Sequence, residues 1–223
     1  NKISESNDYY EVSRFAEVKG SIIHEILQFE IKENDLSEYT KQKIKQIIPL
    51  DEYDETLAQN LVDEINTEVK MYYDSKIYER IKNYREYLNE KQFYVKKENY
   101  FLFGIIDKLI IYEDGYIIVD YKTDNIKPDE IKVRANEYLT QLKFYALLVT
   151  KYFVNVSKLK ILLIFTKQPD NFIEEEISPD ELKIFESQLD KMAFEMRSLS
   201  LIKNKNHCSF CSFSINKKDC IIA

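Results

Sequence analysis

The chain has 223 residues, of which 44% are hydrophobic and 32% charged, a balance typical of a globular protein and not of a disordered one. With only three Gly and four Pro, we expect long elements rather than many tight turns, which counts against an all-β architecture. No run approaches the roughly 20 apolar residues of a membrane span, and the first residues lack a signal-peptide pattern. We therefore expect a soluble, cytoplasmic protein with no membrane partner. Because the chain begins with Asn1 rather than Met, we also expect it to be a piece of a longer polypeptide.

The formal net charge of −7 counts against a nucleic-acid partner, since nucleic-acid binding usually requires a basic surface. The charge is unevenly distributed, however. Residues 1–90 contain 12 basic and 20 acidic side chains, whereas residues 91–223 contain 20 and 19. Residues 197–223 contain five basic side chains and one acidic side chain. The acidity belongs to the first part of the chain, so the net charge alone does not exclude nucleic acid.

The first 90 residues have the apolar spacing of helices. Residues 11–31 place apolar side chains three and four positions apart, which predicts one long amphipathic helix. Residues 32–90 are rich in Glu, Lys, Asn and Tyr and repeat the same spacing, which predicts a lobe of several helices with a turn near Pro49. The pattern changes at Phe93.

The second part alternates between strand and helix patterns. Runs of β-branched, aromatic and apolar residues predict a hairpin followed by a third, buried strand, and helical spacing predicts two further helices. The predicted strands are 100–112, 116–123 and 159–166, and the predicted helices are 133–153 and 178–202. A hairpin followed by helix, strand and helix describes a mixed α/β core with a helical insertion.

The hairpin brings three polar side chains to one face. A two-residue turn at Asp114 and Gly115 would place Asp107 opposite Lys122, with Asp120 a diagonal neighbour of Asp107 within roughly 8 Å. A half-buried structural ion pair between Asp107 and Lys122 is one explanation of this pattern. The other is chemical, because two close carboxylates repel each other unless a divalent cation such as Mg²⁺ lies between them. A lysine beside them could orient or deprotonate a water, or stabilise charge on a phosphate, which is the equipment of metal-assisted phosphodiester hydrolysis.

Five segments, taken in order, resemble the PD-(D/E)XK nuclease superfamily, and most closely its RecB-like branch, which includes the nuclease domains of AddA and AddB helicase–nucleases. They are the Gly-x-x-x-His segment 20–24, the Glu-x-x-Phe segment 90–93, the Gly-Ile-Ile-Asp segment 104–107, the Asp-Tyr-Lys-Thr segment 120–123, and Gln141 with Tyr145. The resemblance implies a restriction-endonuclease-like fold, a mixed sheet flanked by helices, in a single domain over 1–223. Its parts would be a helical insertion lobe at 32–90, a catalytic α/β core at 93–202 and a cysteine-containing tail at 203–223.

The resemblance also implies roles for individual residues. Asp107 and Asp120 would be metal ligands together with the backbone carbonyl of Tyr121, and His24 would add a ligand or a water contact. Lys122 would be the catalytic lysine. Without the other motifs, His24 would be explained as well by a place in the core, and Glu90 by a solvated charge.

Gln141 and Tyr145 are four positions apart, which places them on one helical face. The resemblance implies that this pair borders the active site and contacts DNA or the catalytic residues. Core packing would explain the tyrosine alone, but not a glutamine on the same apolar stripe.

For the function, the resemblance implies a deoxyribonuclease dependent on Mg²⁺ or Mn²⁺, of exonuclease type on DNA ends or single strands. It would be the nuclease domain of a larger recombination and repair helicase–nuclease, and its partner would be a helicase domain or subunit. The alternatives are a non-catalytic DNA-binding or scaffold module with the same fold, and an RNA-directed or CRISPR-adaptation nuclease.

The three cysteines lie close together at the C-terminal end, as a Cys-x₂-Cys pair, Cys208 and Cys211, followed by Cys220. In iron–sulfur members of the RecB-like branch, three such cysteines join a fourth upstream of the Gly-x-x-x-His segment, but no cysteine precedes His24 here. The fourth ligand would precede Asn1 or be His207, or the site is vestigial. A [4Fe-4S] cluster, a zinc site and free thiols all stay open from the sequence.

Overall fold

The computed structural model describes residues 2–49, 54–113, 115–198, 214–215 and 219–220. The chain forms two compact units, residues 1–182 and residues 183–223. The helices are α1 (Lys2–Phe29), α2 (Glu33–Ile47), α3 (Glu55–Tyr73), α4 (Lys76–Ile81), α5 (Ile131–Tyr152) and α6 (Pro179–Arg197). The strands are β1 (Glu86–Lys96), β2 (Phe101–Tyr112), β3 (Gly115–Lys122), β4 (Lys158–Phe165), β5 (Ile173–Glu176), β6 (Ser214–Ile215) and β7 (Asp219–Cys220). No helix in the described part of the chain is long and apolar enough to cross a membrane.

The first five strands form one mixed sheet in the order β1-β2-β3-β4-β5. Strands β3 and β4 are parallel, and the other neighbours are antiparallel. A parallel pair needs a long crossover connection, and α5 lies in this one. The sheet and its flanking helices confirm the predicted fold class. The sheet begins at Glu86, upstream of the change in pattern at Phe93, and β5 is an addition to the predicted strands.

Helices α1 to α4 cover one face of the sheet. Their apolar side chains form a core with the residues of β2, β3 and β4 that face them, namely Ile110, Ile117, Val119, Tyr121, Leu162 and Ile164. Two N-terminal caps define the lobe helices locally, since the Asp54 side chain accepts a hydrogen bond from the Leu57 amide and Ser75 caps α4 in the same way. Helices α2, α3 and α4 lie within the segment predicted to form the lobe, and the last of them ends at Ile81.

Helix α5 packs on the opposite face. Because side chains alternate along a strand, residues 118, 120 and 122 of β3 project away from the α1 to α4 core. The Lys122 side chain reaches Gln141 of α5 on that side. The buried residues of α5 include Leu142, Ala146, Leu147, Leu148 and Val149.

The hairpin has a different register from the predicted one. Tyr112 pairs with Gly115, which leaves only two residues, 113 and 114, between the strands. Gly115 therefore belongs to β3 and not to the turn. A Cβ at Gly115 would lie 2.4 Å from the backbone oxygen of Lys158 on β4, so the position needs glycine for a close strand contact rather than for a turn conformation.

The observed register of the hairpin differs from the predicted one by two positions, so the partner of each residue changes but the face of the sheet on which it lies does not. The ladder of β2 and β3 ends at the pair of Lys108 with Val119, and the same register continued by one residue places Asp107 level with Asp120 rather than with Lys122. A shift of two residues preserves the alternation of side chains, whereas a shift of one would have sent the carboxylates to opposite faces.

Gly104 of β2 also occupies a tight contact. A Cβ there would lie 2.7 Å from Cδ1 of Leu148 and 3.2 Å from Cε1 of Tyr145, both on α5. We expect Gly104→Ala to lower the free energy of unfolding by about 1–3 kcal/mol because it overpacks this contact. Urea denaturation measures the difference, with Phe101→Ala, at an exposed position of the same strand, as a control that stays within about 0.5 kcal/mol of the wild type. Equal midpoints for Gly104→Ala and the wild type would contradict the packing argument.

Candidate active site

Three chain segments meet where β3 ends, and they bring the predicted site residues together. Asp120 and Lys122 come from β3, Asp107 from β2 and His24 from α1. The Asp120 side chain is only 1% exposed, and that of Lys122 is 16% exposed. The Asp107 side chain is 14% exposed, and that of His24 is 30% exposed. Exposure of the side chains therefore increases across the site, from the buried carboxylate of Asp120 to the partly exposed imidazole of His24.

Asp107 has a polar neighbour at each of its oxygens. The backbone amide of Tyr121 donates a hydrogen bond to Oδ2 of Asp107 at 2.8 Å. The other oxygen, Oδ1, lies 3.6 Å from Nδ1 of His24. Burial favours the neutral imidazole, but the hydrogen bond and the charge of Asp107 outweigh it and raise the pKa of His24 above its ordinary value. The neighbouring carboxylate thus favours the protonated form of the imidazole.

Asp120 is the most deeply buried acid of the group. Burial, followed by the negative charge of Asp107, raises the pKa of Asp120 to about 6. Its Oδ2 atom is buried and has no hydrogen-bond partner among the described residues, although the Lys122 ammonium lies 2.8 Å away as an ion pair. A buried carboxylate oxygen of this kind can serve as a ligand for a cation.

Lys122 lies at the centre of a polar chain. Its Nζ is 2.8 Å from Oδ2 of Asp120 and donates a hydrogen bond to Oε1 of Gln141 at 3.1 Å. Nε2 of Gln141 donates in turn to the Tyr145 hydroxyl at 2.7 Å. The ammonium also lies 4.5 Å from the ring centre of Tyr138, within the range of a cation–π contact. The structure thus brings Gln141 and Tyr145 to the site through Lys122.

Glu90 contributes a carboxylate that the predicted set of ligands lacks. Ligand atoms of His24, Glu90 and Asp107 all lie within 4.8 Å of one another. In the register of β1 with β2, Glu90 lies opposite Asp107, and its φ of 46° interrupts the strand locally. Burial and the charge of Asp107 raise the pKa of Glu90. The sequence signal for this residue was its place in the Glu-x-x-Phe segment, where a solvated charge explained it equally well.

The donor set fits a hard divalent cation. Two carboxylates and one imidazole, those of Glu90, Asp107 and His24, converge within 4.8 Å of one another, and oxygen-rich sites of this kind suit Mg²⁺ and Mn²⁺. Asp120 lies outside this group of three, although it is close enough to feel the charge of Asp107. Burial raises the pKa values of Asp120 and Glu90, and repulsion by the negative charge of Asp107 raises them further. A bound cation would relieve this repulsion.

A second polar group follows directly after β3. Nε and Nη2 of Arg134 lie 3.0 and 2.7 Å from Oδ1 of Asp124, and the Tyr138 hydroxyl donates to Oδ2 at 2.8 Å. A cleft of about 770 Å³ borders this segment, and its lining includes His24 and Thr123. Of the site residues in the described part of the chain, His24 alone lines this cleft, which therefore adjoins the site on the side of α1.

The predicted cysteine site falls on residues that the structure does not describe in full. Cys208, Cys211 and His207 lie outside the described residues. For Cys220 only the backbone is described, within β7, which pairs with β6. The iron–sulfur, zinc and free-thiol alternatives therefore stay predictions.

Comparison with protein families identifies the chain. The model of the PD-(D/E)XK nuclease superfamily matches residues 3–215. The chain belongs to the PD-(D/E)XK nuclease superfamily. The match spans both the helical lobe and the sheet, so the carboxylates and the lysine at the end of β3 lie within the matched region of a PD-(D/E)XK nuclease fold.

Curated relatives match this superfamily member over a short stretch. An ATP-dependent helicase/nuclease subunit of Carboxydothermus hydrogenoformans is 39% identical over 66 residues, which cover 25% of this chain and 6% of the relative. The protein of the same description from Streptococcus pyogenes serotype M5 is 38% identical over 78 residues, 34% of this chain and 6% of the relative. The match therefore spans only a small part of these relatives. Among solved structures, SSO0001 aligns with a TM-score of 0.40 and 16% identity, over 86% of this chain and 92% of that chain.

Proposed function

We propose that this PD-(D/E)XK protein is a metal-dependent deoxyribonuclease that hydrolyses phosphodiester bonds, of exonuclease type on DNA ends or single strands. The observation that carries the proposal is the grouping of Asp107, Asp120 and Lys122 at the end of β3, where the buried Oδ2 atom of Asp120 lies 2.8 Å from the Lys122 ammonium and Asp107 accepts a hydrogen bond from the Tyr121 amide. A purely structural ion pair between Asp120 and Lys122 would not need a second carboxylate nearby, because the charge of Asp107 adds repulsion.

The residues proposed to hold the cation are Asp107 and Asp120, with His24, Glu90 and the backbone carbonyl of Tyr121 completing the donors. The Tyr121 backbone is tied to Asp107 by its amide, which keeps this strand segment beside the carboxylates. When bound, Mg²⁺ or Mn²⁺ would neutralise the scissile phosphate and make a water a better nucleophile at neutral pH.

Lys122 is the proposed catalytic lysine. Its ammonium contacts Asp120 and Gln141 at the same time, so its position is set from two sides. From there it can orient the attacking water and stabilise the negative charge that builds up on the phosphate oxygens. The water oxygen loses a proton to solvent and forms a bond to phosphorus as the bond from phosphorus to the leaving 3′ oxygen breaks, and the leaving oxygen takes up a proton from solvent.

Gln141 and Tyr145 are proposed to keep the lysine in place. The Gln141 amide accepts from Lys122 through its oxygen and donates to the Tyr145 hydroxyl through its nitrogen, which fixes the orientation of the amide. Tyr145 also packs against Gly104, so its ring is held by the sheet. Reaction geometry depends on such supporting contacts because small displacements of catalytic groups are costly.

The broader role is proposed from the relatives. Both matched proteins carry the name of an ATP-dependent helicase/nuclease subunit. We propose that this chain is the nuclease domain of a helicase–nuclease for recombination and repair, that its substrate is DNA, and that its partner is a helicase domain or subunit.

A cleavage assay tests the activity and separates its alternatives. The purified chain is incubated with end-labelled linear duplex, circular duplex, single-stranded DNA and RNA, each with Mg²⁺, Mn²⁺ or EDTA. We expect metal-dependent loss of linear or single-stranded DNA, with circular duplex and RNA left intact. Cleavage of RNA in preference to DNA would identify an RNA-directed nuclease. Binding of DNA without cleavage of any substrate in either metal would identify a scaffold module and overturn the proposal.

A further inference from the structure

The helical lobe buries the carboxylate of Glu68 close to the end of β4, next to the strand that carries Lys122. Glu68 of α3 is only 3% exposed, and it lies between apolar residues of the same helix that pack in the core. Burying a charged group is costly unless it is paired and hydrogen-bonded. The contacts of this carboxylate therefore indicate what it does.

Glu68 contacts two other parts of the fold. The hydroxyl of Thr166, directly after β4, donates a hydrogen bond to Oε1 of Glu68. Nζ of Lys19 on α1 lies 3.0 Å from Oε2 of Glu68. The Thr166 side chain is itself fully buried. One carboxylate thus links α3, α1 and the end of β4.

Thr166 carries this link to the proposed catalytic lysine. Its backbone amide donates a hydrogen bond to the carbonyl oxygen of Lys122 at 2.9 Å, and its hydroxyl oxygen lies 3.1 Å from the same atom. Lys122 is the last residue of β3, where the strand ladder ends. The direction of the Lys122 side chain depends on the backbone at this position, so a contact that holds the carbonyl also holds the ammonium.

Lys19 carries the link to the helix that supplies His24. The next residue, Gly20, approaches the strand end so closely that a Cβ there would lie 3.1 Å from Oγ1 of Thr123. The ion pair of Lys19 with Glu68 therefore forms at the place where α1 comes against the residue after Lys122.

We propose that Glu68 is a positioning residue, which ties Lys122 on β3 and the His24-bearing helix α1 to the helical lobe. This inference rests on the proposed nuclease function for its kinetic consequence, although the contacts themselves do not. Without the Glu68 carboxylate, the Thr166 hydroxyl keeps only the Lys122 carbonyl oxygen as an acceptor and Lys19 loses its buried partner. The segment of Thr166 and Lys122 is then no longer tied to α3 and α1, and its backbone gains freedom.

The same helix offers a matched control. Glu64, one turn before Glu68, has its Oε2 atom 3.1 Å from the same Nζ of Lys19, but its side chain is 65% exposed. Exposed ion pairs contribute little to stability. Replacing Glu64 removes a carboxylate from Lys19 and leaves the hydrogen bond between Thr166 and Glu68 in place.

The kinetic test compares Glu68→Ala with Glu64→Ala on labelled single-stranded DNA in Mg²⁺, at a temperature at which circular dichroism shows both to be folded. We expect Glu68→Ala to lower kcat about 10- to 100-fold, as the loss of supporting contacts around a metal site does, with KM within about twofold of the wild type. Thr166→Val should lower kcat as much as Glu68→Ala does, whereas Thr166→Ser keeps the hydroxyl and should have the wild-type kcat. The double variant Glu68→Ala/Thr166→Val should be no slower than the slower single variant, because both changes break the same contact. An unchanged kcat in Glu68→Ala, or an equal loss in Glu64→Ala, would overturn the positioning role.

A second measurement does not depend on activity. Amide hydrogen exchange at Thr166, compared with Ile161 in the middle of β4, reports how firmly the Lys122 carbonyl is held. We expect Glu68→Ala to speed exchange at Thr166 relative to Ile161, and Glu64→Ala to leave the ratio unchanged. If the wild type cleaves no substrate, the nuclease proposal fails and the exchange ratio alone decides the positioning role. The same ratio in Glu68→Ala and the wild type would refute it.

Discussion

The Lys122→Ala variant is expected to cleave DNA about 100- to 10,000-fold more slowly than the wild type, the range over which a positioned proton-transfer or charge-stabilising group accelerates a reaction. The ammonium is the cation that lies between Asp120 and the Gln141 amide, and alanine leaves both without it. Single-turnover rates with excess protein, in Mg²⁺ and on labelled linear DNA, measure the chemical step without the contribution of product release.

The variant should lose rate and keep its metal. Asp107 and Asp120 stay in place in Lys122→Ala, so Mn²⁺ titration should give an affinity equal to or higher than that of the wild type, since a competing positive charge has been removed. Lys132→Ala, at an exposed position of α5, is the matched control and should cleave at the wild-type rate. A Lys122→Ala variant as fast as the wild type would refute the assignment of Lys122 as the catalytic lysine.

The sequence is sufficient to predict the elements whose periodicity is strong. The apolar spacing of α5 and the continuous apolar runs of β2, β3 and β4 predict these elements to within two residues at each end, because their apolar side chains pack in the core. Helix α1 ends two residues before its predicted end, but it begins at Lys2, nine residues before its predicted start. Strand β1 is different. Charged and polar residues are distributed along the whole of it, and most of its positions are exposed or half-buried because it lies at an edge of the sheet. Such a strand is formed by its partner β2 rather than by a pattern of its own.

The turn shows why a local motif predicted the wrong register. Asp-Gly is a strong turn signal because glycine adopts the left-handed conformation readily. At Gly115, however, the reason for glycine is the backbone of β4, which approaches too closely for any side chain. A contact between residues distant in sequence has no local signature, so the register was predicted two residues away from the observed one.

The site residues also divide into those that a local sequence pattern predicts and those that only contacts distant in sequence bring together. The grouping of Asp107, Asp120 and Lys122 follows from alternation along a hairpin and tolerates a shift of two residues. Glu90 reaches the site only through the pairing of β1 with β2, and Glu68 only through the packing of the helical lobe under β4. The sequence predicts groups that share a hairpin, whereas groups brought together by packing require the fold.

The Asp120→Asn variant is expected to abolish metal binding and cleavage while raising the thermal stability of the metal-free protein. Burial and the charge of Asp107 raise the pKa of Asp120 to about 6, above its ordinary value of 3.8. Because this pKa is higher in the folded state than in the unfolded state, ionisation at pH 7 to 8 disfavours folding. Asparagine has nearly the same shape and carries no charge, so it removes the repulsion with Asp107. We expect the midpoint to rise by about 2–4 °C, the shift that about 1 kcal/mol produces in a chain of this size.

Calorimetric titration with Mn²⁺ and thermal unfolding with and without Mg²⁺ measure both effects. Mg²⁺ should raise the midpoint of the wild type, because a ligand that binds only the folded state stabilises it, and should leave that of Asp120→Asn unchanged. Asp63→Asn, at an exposed position of α3, should match the wild type in both measurements. If Asp120→Asn binds Mn²⁺ like the wild type, Asp120 is not a ligand. If instead its metal-free midpoint falls, the ion pair with Lys122 outweighs the repulsion from Asp107, and the buried carboxylate is there for the fold rather than for the cation.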